Sequence, residues 1–419
     1  MDDPSVLLTN ATLQDGRVVD VLLNRGHVAE IRPGLAKTHR QPRELHNLEG
    51  YLLLPSAVEP HAHLDKAMLA QRCLGEAGGL VSAIEMVRAA YPSMDEDDVS
   101  ERARSALEVA VSHGYTAVRT HTACESGIGT RALRSLLGLR EAVSEIVDLQ
   151  VVAHVGMPVT GPEGAEQRAL LVEAIGLGAN LVGGAPALDP RPREATRLLV
   201  QAAAEAGLPI DLHLDETTQA DVLTLEKFAT QVEQHGLSGR ATASHCVSLG
   251  QQDPKEALRI AEALAAVDIG VVTLPQTNLY LQGRDETTHV PRGLTAIKAL
   301  VRAGVTVAGG GDNWRDPFNP LGRIDPFETT ALLVAAGHFS LRDAYDAVSS
   351  NPRRIMGLPP VAVEVGSPAD LLAVRAATLP DAIAGASEDR WVFRRGRLIS
   401  RTRLIRDVDP ARAIRGGQS

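Results

Sequence analysis

Lysine is nearly absent from this chain. The 42 basic residues include only five lysines, Lys37, Lys66, Lys227, Lys255 and Lys298, and none lies between Lys66 and Lys227. Coding bias toward arginine explains such a count, yet it limits the amine chemistry open to the protein. Cysteine is scarce too. Cys73, Cys124 and Cys246 are too widely spaced for a disulfide framework or a CxxC metal knuckle, so reduced thiols are expected. Aromatic residues make up 3% and the formal net charge is -10, which argues against the basic stripe and stacking platforms of a nucleic-acid binder. No segment approaches the roughly 18 consecutive apolar residues of a membrane span. The N-terminal Met1-Asp2-Asp3-Pro4 carries neither the positive region nor the apolar stretch of a signal peptide, and a cytoplasmic protein is expected.

What is present is an ordinary globular composition, 44% apolar and 22% charged, over 419 residues. That length accommodates a catalytic barrel of about 250 residues with an appendage. From about residue 50 to residue 312, short apolar runs alternate with helical patterns, the signature of βα units and a parallel sheet. Eight runs can be counted: Tyr51 to Val58, Thr116 to Thr122, Leu149 to Val155, Asn180 to Gly184, Pro209 to Leu214, Arg240 to His245, Gly270 to Leu274, and Val305 to Gly311. Eight parallel strands suggest an α/β fold closed as a (β/α)8 TIM-like barrel over residues 51–360. Between the runs, Ala195, Leu198, Leu199, Ala202, Ala203 and Ala206 share one helical face and stop at Gly207. Val99, Ala103, Ala106, Leu107 and Ala110 do the same before Gly114. The long stretch between the first two runs has room for two helices and a loop that form part of a lid.

The chain ends read differently, as short strands broken by turns at Val6 to Leu8, Asp20 to Leu23, Val28 to Ile31, Asp370 to Val374 and Trp391 to Phe393. Residues 1–50 and 361–419 are therefore expected to pair into one small composite β-sandwich domain. The tail Gly416-Gly417-Gln418-Ser419 is expected to fray.

The first barrel strand ends in Glu59-Pro60-His61-Ala62-His63-Leu64-Asp65-Lys66. Alternation along a strand turns His61 and His63 the same way, so they can hold one ion; HxH by itself is a weak signal and more often describes two satisfied or exposed histidines. The fifth strand ends in Asp211-Leu212-His213-Leu214-Asp215-Glu216, the sixth in Ala243-Ser244-His245-Cys246, and the eighth in Gly310-Gly311-Asp312-Asn313. Barrel active sites sit at the C-terminal ends of strands, and four endings rich in metal-ligand types on one rim point to a site.

The order HxH, His, His and Asp on strands one, five, six and eight resembles the amidohydrolase superfamily, and the flanking residues resemble its cytosine deaminase branch. Supporting runs are Val58 to Asp65, Val118-Arg119-Thr120-His121, Asp148 to Ala153, Thr242-Ala243-Ser244-His245, Leu281-Gln282-Gly283-Arg284 and Gly366-Ser367-Pro368-Ala369-Asp370-Leu371. Asp65-Lys66 and Asp312-Asn313-Trp314-Arg315-Asp316 are closer to a neighbouring branch, the triazine-ring hydrolase N-isopropylammelide amidohydrolase.

The resemblance implies a divalent ion held by His61, His63, His213 and Asp312, with Asp312 also taking a proton from water. Two-metal members bridge their ions through a lysine or glutamate on strand three or four; neither strand here has one, so a single ion is expected, either Zn2+ or Fe2+. Such an ion makes water a nucleophile near pH 7. His245 is expected to orient that water or polarise the reacting centre, and Glu216 to shuttle protons to the ring and the departing amine, unless it is simply a solvated carboxylate opening the next helix. Cytosine deaminase reads the amide edge of its pyrimidine with the glutamine of Ala-Phe-Pro-Gln; the aligned stretch here is Ala153-His154-Val155-Gly156, so Gly156 takes that position. His154 either substitutes from nearby or faces the helices. Lys66 contacts a substrate oxygen or is a solvated loop residue, and Asn313, Trp314 and Phe318 are candidates for the pocket wall, while Arg119 and His121 buttress the site.

The expected function is hydrolytic removal of an amino or alkylamino group from a planar nitrogen heterocycle: a pyrimidine, triazine, pterin or related cyclic amidine. The partner is this small molecule, and a homo-oligomer is compatible with the sequence. Hydrolysis of a cyclic or linear amide at the same site is the alternative, separated by amine release without ring opening. A binding protein that kept the fold is disfavoured by the complete ligand set.

Overall fold

The computed structural model describes residues 5–39, 42–73 and 78–407. Met1 to Pro4 and the tail Gly416 to Ser419 lie outside them. Eight parallel strands form one sheet in sequential order: Ala57–Ala62, Tyr115–Cys124, Asp148–Val155, Leu181–Gly184, Ile210–Leu214, Ala241–His245, Gly270–Thr273 and Val307–Gly309. The ring closes through a parallel bridge between Ala62 and Asp312, with Asp312 N donating to His61 O at 2.9 Å and His63 N donating to Asp312 O at 3.1 Å. The expected (β/α)8 barrel is thus present, and its seam runs through candidate metal ligands.

Alternation sorts each strand. Val118, Val151, Ala153, Leu212 and Ala243 join the apolar layer under the helices, while Arg119, His121, Gln150, Asp211, His213, Thr242 and Ser244 face the axis. Arg119 is nearly fully buried and donates to Asp211 at 2.8 Å, Gln150 at 3.0 Å and Thr242 at 3.1 Å. It cross-links four strands below the site.

Helices Pro192–Ala206 and Glu96–Ser112 cover the periodic stretches; the first stops at Gly207, left-handed at φ 68°, and the second starts at Asp95, whose side chain accepts from Asp98 N. The first counted run divides in two. Tyr51–Pro55 belongs to the small sheet, antiparallel to Leu371–Arg375, and the barrel strand begins only after a break at Ser56. Continuous apolar character concealed that break, because both segments are buried.

The small sheet is mixed, with strands from both chain ends in the order Arg397–Arg401, Arg390–Arg394, Leu371–Arg375, Tyr51–Pro55, Val6–Thr12, Val18–Asn24 and His27–Arg32; Glu44–Asn47 pairs alongside Val6–Thr12. It is one sheet, not two. Leu8, Val21, Leu53, Leu371 and Phe393, from both of its halves, share a single apolar cluster, and this gives the sandwich-like core. Cys73, Cys124 and Cys246 are free. No helix among the described residues is long and apolar enough to cross a membrane.

Candidate active site

The strand ends deliver His61, His63, His213 and Asp312 to one point. The Nε2 atoms of His61 and His63 each lie 3.1 Å from His213 Nε2, and Asp312 Oδ1 is 3.6 and 3.4 Å from the same two atoms. Nitrogens at about 2.0–2.1 Å from one ion in tetrahedral array would stand about 3.3 Å apart, so the spacing fits a metal. Orientation fits as well. His63 Nδ1 donates to the His121 carbonyl at 3.0 Å, leaving Nε2 an unprotonated donor. His61 Nδ1 meets Ser244 Oγ at 2.8 Å, and Ser244 donates to Asp211 at 2.8 Å, which makes His61 Nδ1 the proton donor. Both carboxylate oxygens of Asp312 are buried without a hydrogen-bond partner. Lone pairs turned on one another in a buried space repel unless a cation lies between them.

Electrostatics agree. Burial, then the neighbouring His121, His245 and His63, holds His61 well below the usual imidazole range; burial, then His154 and His61, does the same to His213. Burial and then Lys66 lower His63. Neutral imidazoles are the form that binds metal. Burial pushes the Asp312 carboxyl up to about 7, with Lys66 opposing. Asp211 stays low: burial pushes it up, but His121 and Arg119 outweigh that and lower it. The Asp211–Ser244–His61 relay gives a prediction. Ser244→Ala is expected to weaken metal binding about 10- to 100-fold, the usual worth of an orienting partner, in competition with a chelator. Unchanged affinity would refute the relay.

Glu216 does not open a helix, since the next one starts at Leu225, nine residues on. Its side chain is 11% exposed, its Oε1 lies 3.4 Å from His245 Nδ1, and burial, then the Asp312 charge, raises its carboxyl well above the usual range against Lys66. His245 Nδ1 also meets the Asn278 amide at 3.2 Å, while its Nε2 is buried and unpartnered. His245 and Asp312 sit in left-handed backbone, φ 69° and 58°, which sharply turns the chain at the rim where the groups are needed.

Of these groups, His63, His213, Glu216, His245 and Asp312 line a cavity of about 280 Å³. Lys66 lies in its wall with Nζ 4.3 Å above the Phe318 ring. His154 lines the cavity as well and packs edge-on against His213 at 4.4 Å, which decides between its two orientations; it shares the parity of Gln150, whose side chain meets Arg119 inside the barrel. Asn313 lines the cavity but its amide is engaged by Asp316 at 2.9 Å and Thr277 at 3.2 Å. Trp314 is corrected. Its side chain is absent from the cavity lining and buried in the main core, 6.3 Å from the Tyr115 ring, because the turn after Asp312 directs it behind the site. Arg119 and His121 buttress the site as expected, His121 stacking on His61 at 3.9 Å.

Sequence reasoning missed three groups. Glu59 accepts from His61 N at 3.0 Å and Gly311 N at 2.9 Å and ties the barrel seam; its place two residues before HxH was the available signal. Burial drives its carboxyl up to about 8, against those two hydrogen bonds. Arg88 and Glu125 also face the cavity, and only the fold brings them together. The helix Leu80–Ala90 supplies Leu80, Val81, Ile84 and Arg88 to the cavity wall.

The chain is similar in sequence and in fold to known proteins. The model of the amidohydrolase family matches residues 67–390. A pterin deaminase of Rhizobium rhizogenes (strain K84) is 32% identical over 91% of this chain and 88% of its own. The structure of 5-methylcytosine deaminase from Klebsiella pneumoniae, liganded with 5-fluorocytosine, superposes with a TM-score of 0.87 at 26% identity, covering 97% of this chain and 100% of that one. N-isopropylammelide isopropylaminohydrolase from Burkholderia multivorans gives a TM-score of 0.82 at 27% identity, over 95% and 98% of the two chains.

Proposed function

Because this chain belongs to the amidohydrolase family, we propose that it is a metal-dependent hydrolase releasing an amine from a planar nitrogen heterocycle, with Glu216 as its proton carrier. The observation that carries this reading is one cavity lined by His63, His213, Asp312, Glu216 and His245 together, with His61 completing the set of four convergent metal donors. The relative named a pterin deaminase makes two-ring aminopteridines the first substrates to test.

His61, His63, His213 and Asp312 would hold a single divalent ion, zinc or ferrous iron. The ion, when bound, supplies the Lewis acidity that makes water a nucleophile near neutral pH. Asp312 accepts the proton that water gives up. Glu216, whose carboxyl is raised by burial and then by the Asp312 charge, donates its proton to a ring nitrogen, takes up the second proton of the attacking water as the new carbonyl forms, and passes it to the departing amine; the first proton, held by Asp312, then restores Glu216. His245 presents its unpartnered Nε2 to the developing tetrahedral centre. Lys66 and Phe318 offer a cation and an apolar face to a flat ring.

A second donor group, His121, His154 and His213, shares His213 with the first. The mononuclear reading rests on the absence of lysine and glutamate from Asp148–Val155 and Leu181–Gly184. The test is ammonia release from a panel of aminopteridines, aminopyrimidines and aminotriazines, with metal analysis of the same sample. Turnover without ring opening and about one ion per chain are expected. Two ions bound reproducibly would overturn the mononuclear assignment, and ring opening would favour amide hydrolysis.

A further inference from the structure

Gly156 stands where the cytosine deaminase pattern has its amide-reading glutamine, and Glu125 has taken the vacated space. A Cβ at Gly156 would lie 2.4 Å from Glu125 Cβ and 2.7 Å from Glu125 Oε2. Strand pairing forces this proximity: Cys124 is in register with Val155, so the next residues of both strands leave the barrel side by side. Arg88 grips the carboxylate through Nη2 at 2.5 Å and Nε at 3.3 Å, and Tyr91 donates its hydroxyl to Oε1. All four residues line the cavity that holds the metal donors.

An ion pair built this way has capacity left over. A carboxylate offers about four acceptor sites. Three are filled, two on Oε1 and one on Oε2, and the remainder is on Oε2, the oxygen nearest Gly156. Among the described residues, Arg88 Nη1 makes no hydrogen bond, and the Arg88 side chain is 48% exposed. One wall therefore presents an acceptor beside a donor.

We propose that Glu125 and Arg88 together read an amide edge of the heterocycle, Glu125 accepting from a ring N–H and Arg88 donating to the adjacent C=O. The pair supplies from two side chains what one carboxamide supplies in the resembled branch. Tyr91 fixes the carboxylate, and Gly156 is glycine because a side chain there would collide with it. This rests on the deaminase reading and narrows its substrates to amino-heterocycles that also carry a ring lactam. A site built to hydrogen-bond such an edge rejects rings lacking it by large factors, because its buried polar groups are left unpaired.

The test compares kcat/KM for matched rings, one with the lactam N–H and one N-methylated, using metal-loaded protein. Wild type is expected to prefer the N–H ring by at least about 100-fold. In Glu125→Ala that preference falls at least about tenfold, with bound metal retained. Gly156→Gln alone loses turnover through the collision, and Glu125→Gly combined with Gly156→Gln, which removes both the carboxylate and the Cβ that a side chain at 156 would strike, recovers preference relative to Glu125→Gly. An unchanged preference in Glu125→Ala, or a double variant no better than Glu125→Gly, overturns the proposal while leaving the deaminase reading standing. Absence of ammonia release from every ring in wild type removes that reading and this inference with it.

Discussion

Glu216→Gln is expected to lower kcat by at least about a hundredfold, the usual contribution of a placed acid-base group, while metal content stays as in wild type and the thermal midpoint does not fall. Glutamine has the same shape but carries no transferable proton. Glu216 is not among the four convergent donors, so the ion has no reason to leave. His245, whose Nδ1 lies 3.4 Å from Glu216 Oε1, can still be met by an amide, so local packing survives. The loss should fall on kcat and kcat/KM alike, the pattern of an interaction made chiefly in the transition state. Turnover near that of wild type would remove Glu216 from the chemistry. Loss of metal alongside activity would mean that the side chain supports the ion instead of the proton.

Most of this site was legible because strand geometry is local. HxH places two rings on one side of a strand whatever the rest of the fold does, and endings in His, His and Asp reach one rim once eight parallel strands are counted. The orienting partners were only partly legible. Ser244 and Asp211 stood in the quoted motifs, but their chain to His61 depends on cross-strand register, in which His213 faces Ser244 and Asp211 faces Thr242. Arg88 and Glu125 were illegible for the same reason at longer range, since a helix residue and a strand-end residue separated by 37 positions meet only after folding. Trp314 failed differently. A residue two past a ligand was assigned to the pocket by proximity in sequence, but left-handed backbone at Asp312 turns it into the core. The missed break at Ser56 comes from burial on both sides, which leaves no polar punctuation between two strands of different sheets.

Asp312→Asn is expected to reverse the order of stability between metal-free and metal-loaded protein. In the metal-free state the carboxylate is buried with neither oxygen hydrogen-bonded, and its carboxyl is raised to about 7 by burial against Lys66. An acid whose folded pKa exceeds its unfolded value of about 3.9 destabilises the fold increasingly as pH rises from about 4 to about 7, and by a constant amount above that. Three units correspond to an upper figure of about 4 kcal/mol. Asparagine carries no such term, and its amide can donate to the lone pairs of His61 or His63, 3.6 and 3.4 Å from Oδ1. Chelated Asp312→Asn should therefore be more stable than chelated wild type at pH 8, with the gap shrinking toward pH 5. Metal supplied above a thousand times Kd inverts the comparison, because binding then adds more than about 4.1 kcal/mol to wild type and far less to a variant missing one ligand. Its kcat should fall about 10²- to 10⁴-fold, as expected when the group that accepts the proton of water is lost. Urea unfolding at both pH values, with and without chelator, reads all four combinations. A metal-free variant less stable than wild type at pH 8 would mean that Asp312 is satisfied without a cation, and the four-donor metal site would fall with it.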